Sequence, residues 1–231
     1  LNNENPWKDE YYFLSNHVVK EVYCILERLN VDYLDSLLLH RYDPIFDLEE
    51  LSNAINKIKA EGLVKKFGVS NMNHHQIKLL QKITGVGFKI NQMEINLSKL
   101  DWLDDSILFN HNQNNNTNIT SGTLEYCFLN DIQLQAWSSL AGGVFSGRKL
   151  NNPSKSILNT KKLVTKLANK KGVSKEGIVL AFILKHPFKI RPLVGTTNPK
   201  RIKNCKDALD IKLSREEWYD LYVNSRGKIL P

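Results

Sequence analysis

The chain has 231 residues, of which 42% are hydrophobic and 24% are charged, as in an ordinary folded domain with a substantial core. It contains no apolar run of the roughly 18 to 20 residues that a membrane span requires, and its first residues lack the pattern of a signal peptide, so we expect a cytoplasmic protein without membrane contact. Cys24, Cys127 and Cys205 show no CxxC spacing, so neither disulfides nor a metal site are predicted.

The net charge is +8, from 32 lysines and arginines against 24 aspartates and glutamates. The basic residues are scattered, and no nucleic-acid-binding motif accompanies them. We therefore expect a solvated basic surface and no nucleic-acid partner. A small ligand that carries phosphate remains compatible with this charge.

The first clear pattern follows a polar segment, residues 1–14, which is predicted to be a loop. Apolar residues recur at helical spacing from Ser15 onwards. Residues 31–40 then form a near-continuous apolar run that ends on His40, and such a run is typical of a strand buried on both faces. In α/β folds ligands gather at the carboxyl ends of parallel strands, so His40 is a candidate for chemistry.

Two further strands also end on polar side chains. Residues 64–71 are strand-like and end on Ser70 and Asn71, and residues 88–94 carry Gln92 near their end. Helices are predicted behind two N-caps, Asp47 (in an Asp47-x-x-Glu50 capping box) and Asn73.

The middle of the chain has little pattern. Residues 111–120 are rich in asparagine and have little apolar surface to bury, so we predict a disordered insertion. Ser121 is predicted to cap a short helix.

The second half continues the alternation of strands and helices. Residues 132–139 are predicted as a strand that leads through Leu140 to the glycine pair Gly142 and Gly143, which allows close approach of a ligand. Residues 150–160 are predicted as a loop and 161–171 as a helix. The remaining predicted elements are a helix capped by Ser174, a strand at 190–195 and a last helix that begins with a Ser214-x-x-Glu217 capping box.

The last strand passes through Gly195, Thr196 and Thr197 into a helix that carries Arg201 in its first turn. A turn of small residues at a helix N-terminus can bind an anion through backbone N–H groups and the helix dipole. The guanidinium of Arg201 can bind a phosphate through two parallel hydrogen bonds. We therefore predict a phosphate site here.

Strands that alternate with helices predict a parallel sheet. The five predicted strands all end on groups that can bind a ligand, which indicates one shared site. In this context the sequence resembles the aldo-keto reductases, which are nicotinamide-dependent (β/α)8 TIM barrels. The resemblance extends from about residue 15 to the end. It is carried by Asp32-Tyr33-Leu34-Asp35 through His40, Gly68-Val69-Ser70-Asn71, Asn91-Gln92-x-Glu94, Ala136-Trp137-Ser138-Ser139-Leu140 and Gly195-Thr196-Thr197-Asn198-Pro199-x-Arg201-Ile202.

The resemblance implies hydride transfer from NADPH to an aldehyde or ketone. His40 would orient the carbonyl as a neutral imidazole, and Trp137 would stack on the nicotinamide. Thr196 and Arg201 would bind the 2′-phosphate, which favours NADP(H) over NAD. The other implied cofactor contacts are Ser70, Asn71 and Gln92 at the carboxamide, Ser138, Ser139, Leu140 and Gly142 near the pyrophosphate, Gly195 and Thr197 in the last turn, and Cys205 near the adenine.

Three departures from the family pattern stand out. Ser139 replaces a common proline, and Cys205 stands where asparagine or glutamate is usual. The family's proton donor, a tyrosine assisted by lysine and aspartate, comes from earlier strands. Because about five of eight strands are predicted, we expect a single partial barrel domain over residues 1–231 that lacks roughly the first three βα units.

Two alternatives stay open. One is a non-catalytic NADPH-binding regulatory subunit that resembles the β subunits of potassium channels. The other is an aldolase-type lyase, which rests on the Gly195 and Thr196 turn alone and has no suitable lysine at a strand end. The expected partner is a small carbonyl substrate, and the expected state is a monomer or weak homo-oligomer.

Overall fold

The computed structural model describes residues 15–108 and 119–231, so the predicted loop at 1–14 and most of the asparagine-rich segment lie outside the described residues. The described chain forms two compact units. The first comprises residues 15–92 and 129–132, and the second comprises 93–108, 119–128 and 133–231. Both are built from parallel strands that alternate with helices, which confirms the predicted α/β class.

The first unit contains three helices and three strands within its described residues. Strand β2 pairs in parallel with β1 and with β3, with Leu39 opposite Val69 and Ser70 opposite Gln92. The elements are α1 (Ser15–Leu29), β1 (Leu37–Leu39), α2 (Leu48–Ala60), β2 (Phe67–Ser70), α3 (His74–Thr84) and β3 (Phe88–Glu94), whose last two residues belong to the second unit.

Gly68 allows the close approach of these three strands. A Cβ atom on Gly68 would lie 2.8 Å from the Cβ atom of Ile90 on β3 and 3.0 Å from the Cγ atom of Leu38 on β1. These distances are shorter than a van der Waals contact between carbon atoms. A larger residue would therefore force the strands apart.

The predicted strand over residues 31–40 is wrong in its first half. Only Leu37–Leu39 is a strand, and Leu34 makes an isolated bridge with Val64. Val31 and Tyr33 are 45% and 43% exposed. The physical reason is that Asp32 and Asp35 interrupt the apolar run, and carboxylates without partners are costly to bury.

The predicted helix starts at Asp47 and Asn73 are confirmed. The Asp47 carboxylate accepts hydrogen bonds from the backbone N–H groups of Glu49 and Glu50, both at 2.9 Å. Asn73 accepts from the backbone N–H of Gln76, whose side chain accepts from the N–H of Asn73 in return. Side-chain oxygens thus satisfy backbone donors that the first turn of each helix leaves unpaired.

The second unit is organised around a helix that is buried on all sides. Residues 176–183 of this helix, α7, are all buried, as expected for a helix without a polar face. The elements are α4 (Asp101–Ile107), α5 (Thr123–Leu129, its last residue in the first unit), β4 (Gln133–Trp137), α6 (Lys155–Lys171), α7 (Lys175–Leu184), β5 (Arg191–Pro192), α8 (Pro199–Lys206) and α9 (Arg215–Arg226), with 3-10 turns at Ala141–Gly143 and Asp207–Leu209.

Several predicted boundaries in this unit are wrong. The loop at 150–160 is helical from Lys155, because Ser154 caps α6. Helix α5 begins at Thr123 and not behind Ser121. The strand at 190–195 shortens to Arg191–Pro192, since proline has no N–H to extend the ladder. The caps Ser174 and Ser214 are confirmed.

Candidate functional site

The strand ends of the first unit bring three predicted site residues to one level. Ser70 lies opposite Gln92 in the parallel register, and Leu39 lies opposite Val69. His40 therefore follows β1 at the level of Ser70. Because neighbouring strands lie about 4.8 Å apart, these three residues form a row at the carboxyl end of the sheet.

Ser70, Asn71 and Gln92 are joined by hydrogen bonds. The Asn71 Nδ2 atom donates to Ser70 Oγ at 2.9 Å, and Ser70 Oγ donates to the Gln92 carbonyl oxygen at 2.9 Å. The Asn71 backbone N–H donates to the same carbonyl at 2.9 Å. Asn71 has a left-handed backbone with φ 53°, a conformation that asparagine tolerates better than most residues. The chain turns out of the strand at this point.

Asn91 is a structural residue of this group that the sequence patterns did not single out. It is fully buried, and its Nδ2 atom donates to the Met72 carbonyl oxygen at 2.9 Å. The bond fixes the turn that follows Asn71. Alternation along β3 places Asn91 on the same face as the exposed Lys89, so this pattern gave no signal of its burial.

A cavity of about 300 Å³ in the second unit is lined by seven of the predicted cofactor residues. It lies at the carboxyl ends of β4 and β5, where α/β folds collect ligands. The predicted residues in its lining are Ser138, Ser139, Leu140, Gly142, Gly195, Thr196 and Arg201. Trp137, the last residue of β4, is half-buried beside this loop.

The loop after β4 is shaped by left-handed backbone. Ser138, Gly142 and Gly143 have φ values of 55°, 60° and 81°. Ser139 is buried, and its hydroxyl donates to the Leu193 carbonyl oxygen at 2.5 Å. This bond ties the loop to the segment after β5, so the Ser139 side chain supports the cavity wall where the family commonly has proline.

The start of α8 corrects one part of the phosphate prediction. The Asn198 side chain accepts hydrogen bonds from the N–H groups of Lys200 at 3.0 Å and Arg201 at 3.2 Å. Pro199 has no N–H. The first backbone donors of α8 are therefore used by Asn198, and the cavity presents the side chains of Thr196 and Arg201 to a ligand instead.

Of the cofactor residues predicted after β5, Thr197 and Cys205 do not line this cavity. Thr197 is exposed in the turn before α8. Cys205 is buried in a hydrophobic cluster with Leu180 and Ala208, beside a separate apolar cavity. Burial is also the main cause that raises the pKa of the Cys205 thiol. Cys205 lines that second cavity together with Thr196, and its contact with adenine stays a prediction.

The cavity is also lined by Gly143 of the predicted glycine pair and by three residues that the sequence patterns did not single out: Ser146, Glu176 and Leu193. Arg148 lies close by, because its Nη1 atom is 3.1 Å from the position of a Cβ atom on Gly142. The glycine pair signalled Gly143 and its neighbours. For Glu176 no local signal existed, because only the folded chain brings the first turn of α7 to the cavity.

Electrostatically, the lining residues include one cation, Arg201, and one carboxylate, Glu176, and the Arg148 guanidinium lies near Gly142. The Arg201 side chain is exposed and the Glu176 side chain is buried. Within residues 15–108 and 119–231, no three His, Cys, Asp or Glu side chains are grouped closely enough to hold a metal ion. In the same ranges, every helix is too short or too polar to cross a membrane.

Comparison with known proteins gives a consistent result. A sequence model of the aldo/keto reductase family matches residues 5–222. The chain is 32% identical over 219 residues to 6-dehydroglucose reductase of Agrobacterium fabrum, covering 94% of this chain and 66% of that protein. It is 27% identical over 225 residues to methylglyoxal reductase DkgA of Escherichia coli O157:H7, covering 97% and 69%. The chain thus spans about two thirds of the length of these relatives.

A solved structure shares the fold. The crystal structure of the thermostable aldo-keto reductase Tm1743 with the inhibitor epalrestat is similar with a TM-score of 0.73 at 23% sequence identity. The similarity covers 92% of this chain and 67% of that one. The described strands and helices are therefore arranged as in a (β/α)8 reductase barrel.

Proposed function

We propose, from the premise that this chain belongs to the aldo-keto reductase family, that it binds NADPH and reduces an aldehyde or ketone. NADPH would supply the hydride, and the carbonyl oxygen would gain negative charge that needs oriented donors. His40 follows β1 at a strand end, where its imidazole can hydrogen-bond that oxygen. It is the residue that we assign to the substrate.

The observation that carries the proposal is the cavity around Arg201. Seven residues of the family's cofactor motifs line this one cavity, although they come from two separate segments of the sequence. A guanidinium binds a phosphate with two parallel hydrogen bonds, and the Thr196 hydroxyl can add another. We assign the 2′-phosphate of NADPH to Arg201 and Thr196, and the pyrophosphate to the loop from Ser138 to Gly143.

The assignment of the nicotinamide rests on the first unit's strand ends. Its carboxamide has one acceptor and two donors, which an amide side chain complements. Asn71 and Gln92 provide such side chains, and Ser70 holds the Asn71 amide through its hydroxyl. The assignment of Trp137 to the nicotinamide ring rests on family membership alone. Hydrogen bonds that are already formed before binding would reduce the cost of ordering the site.

The relatives support a carbonyl substrate. The two similar proteins are named for the reduction of 6-dehydroglucose and methylglyoxal. Both names denote compounds with a reactive carbonyl group. We therefore propose small aldehydes and ketones as the substrate class.

The test measures cofactor binding by calorimetry in the wild-type protein and in Arg201→Met. Loss of a charge-assisted bond to phosphate should weaken NADPH binding by about ten- to hundredfold, with NADH binding almost unchanged. Lys203→Met removes a cation from the same helix outside the cavity, and it is the matched control. Equal NADPH affinity in wild type and Arg201→Met would contradict the assignment.

Turnover is tested by following the loss of NADPH absorbance with methylglyoxal and a panel of aldehydes and ketones. We expect consumption that depends on the carbonyl compound. Tight NADPH binding without consumption by any carbonyl would contradict reductase activity by this chain alone.

A further inference from the structure

Glu176 is a buried carboxylate in the wall of the cofactor cavity. It is in the first turn of α7, two residues after the cap Ser174, and it is 8% exposed. It lines the same cavity as Arg201 and Thr196. Glutamate is rarely buried to this degree without a partner, so its position calls for a reason.

The neighbours of Glu176 leave its charge largely uncompensated. The Asn204 Nδ2 atom lies 3.5 Å from Glu176 Oε2, which is a long hydrogen bond. Among the described residues, no lysine, arginine or histidine forms an ion pair with Glu176. The dipole at the start of α7 offers some stabilisation. A carboxylate in this setting is available to a ligand.

The packing of α7 against α8 brings Glu176 close to the predicted phosphate ligand. Ser174 Oγ donates to the Asn204 carbonyl oxygen at 2.7 Å, which fixes Asn204 beside the start of α7. Arg201 precedes Asn204 by three residues and so lies on the same face of α8. A phosphate bound by Arg201 would therefore lie beside the Glu176 carboxylate.

From this juxtaposition we infer that Glu176 sets the choice between the two nicotinamide cofactors. Its carboxylate repels the 2′-phosphate of NADPH and accepts a hydrogen bond from the 2′-hydroxyl of NADH. Arg201 attracts the phosphate, so the two residues oppose each other. The preference for NADPH is then smaller than Arg201 and Thr196 alone would give. This inference rests on the proposed function, because it needs the 2′ position of the cofactor to lie at Arg201.

The test compares Glu176→Gln with a closely matched control. Glu216 also stands two residues after a serine cap and directly after a basic residue, but it is exposed on α9. Glu216→Gln therefore makes the same change in net charge at the same helix position. Glu176→Asp retains the charge in the cavity. Calorimetry with NADPH, NADH, 2′,5′-ADP and ADP separates the 2′-phosphate from the rest of the cofactor.

In Glu176→Gln we expect binding of NADPH and 2′,5′-ADP to tighten by about tenfold, because the repulsion between two like charges in a partly buried cavity is removed. NADH binding should weaken or stay unchanged. Glu216→Gln and Glu176→Asp should keep the wild-type ratio of NADPH to NADH affinity. Circular dichroism establishes that each variant is folded.

The possible results separate this inference from the proposed function. If wild type binds NADPH and the ratio is unchanged in Glu176→Gln, the role of Glu176 is overturned while the proposed function stands. If wild type binds neither NADPH nor NADH, both are overturned. A shift of equal size in Glu216→Gln would assign the effect to net charge and would also overturn the role of Glu176.

Discussion

The carboxylate of Asp104 is expected to be one of the main polar contributions to the stability of the second unit. It lies on α4 and accepts hydrogen bonds from the Tyr222 hydroxyl and from Arg226 Nε, the latter at 3.1 Å and 3.3 Å to its two oxygens. Tyr222 is fully buried. The Arg226 side chain is 5% exposed and that of Asp104 is 20% exposed. The group therefore joins α4 to α9 in a largely dry environment.

Asp104→Ala would leave a buried guanidinium and a buried hydroxyl without this acceptor. Removal of one partner from a buried ion pair typically costs about 3 to 5 kcal/mol. Arg226 retains a hydrogen bond to the Ile229 carbonyl oxygen, and Asp104 keeps some contact with water. We therefore expect a loss near the lower limit, about 3 kcal/mol in the free energy of unfolding.

The measurement is equilibrium unfolding in urea, with the slope of the transition checked for constancy. Asp101→Ala is the control, because Asp101 is on the same helix and pairs with Lys99 at 3.4 Å in a more exposed setting. Exposed pairs contribute less than about 1 kcal/mol. If Asp104→Ala lost no more stability than Asp101→Ala, the network would not be a stabilising contact and the reasoning would fail.

Two further predictions concern stability. Gly68→Ala should lower the free energy of unfolding by about 1 to 3 kcal/mol, since its Cβ would overlap Ile90; Gly87→Ala, whose Cβ would make only an ordinary contact with Lys89 at 3.8 Å, is the control in the same urea experiment. Burial lowers the pKa of His186 to about 4 from 6.5, so the unfolded chain gains a proton before the folded one does. Stability should thus fall as the pH drops from 6.5 to 4, and His186→Phe should flatten this dependence; the same slope in both proteins would refute it.

The helix starts could be predicted from the sequence because capping is local. Asp47, Asn73, Ser174 and Ser214 each accept a hydrogen bond from an N–H two or three residues ahead. All the information lies within four residues of sequence. These predictions were confirmed for that reason.

Strand lengths and the helix α4 could not be predicted in the same way. The strand β5 exists only through its pairing with β4, which lies more than fifty residues earlier. Helix α4 buries Trp102, whose ring packs edge-on against Phe182 at 6.1 Å between centroids. Such contacts between distant residues decide the element, and a short window of sequence does not contain them.

The candidate site shows the same division. Motif resemblance identified Thr196 and Arg201, which line the cavity, because a motif preserves the spacing of residues that meet in the fold. Cys205 was assigned from the same spacing, but it packs into a hydrophobic cluster. Glu176 was not identified at all, since its place in the cavity depends on the packing of α7 against α8. Spacing within a motif does not reveal what a separate helix contributes.

The cap at Asn198 determines which groups of the proposed phosphate site are available to a ligand. The Asn198 side chain accepts hydrogen bonds from the N–H groups of Lys200 and Arg201. The start of α8 therefore has fewer backbone donors for a phosphate than an uncapped helix N-terminus has. The attraction must then come mainly from the Arg201 guanidinium, which is why its loss should affect NADPH far more than NADH. A phosphate held mainly by side-chain charge would also be sensitive to an opposing charge, and Glu176 lines the same cavity. A site built from backbone donors would be less easily tuned by one carboxylate.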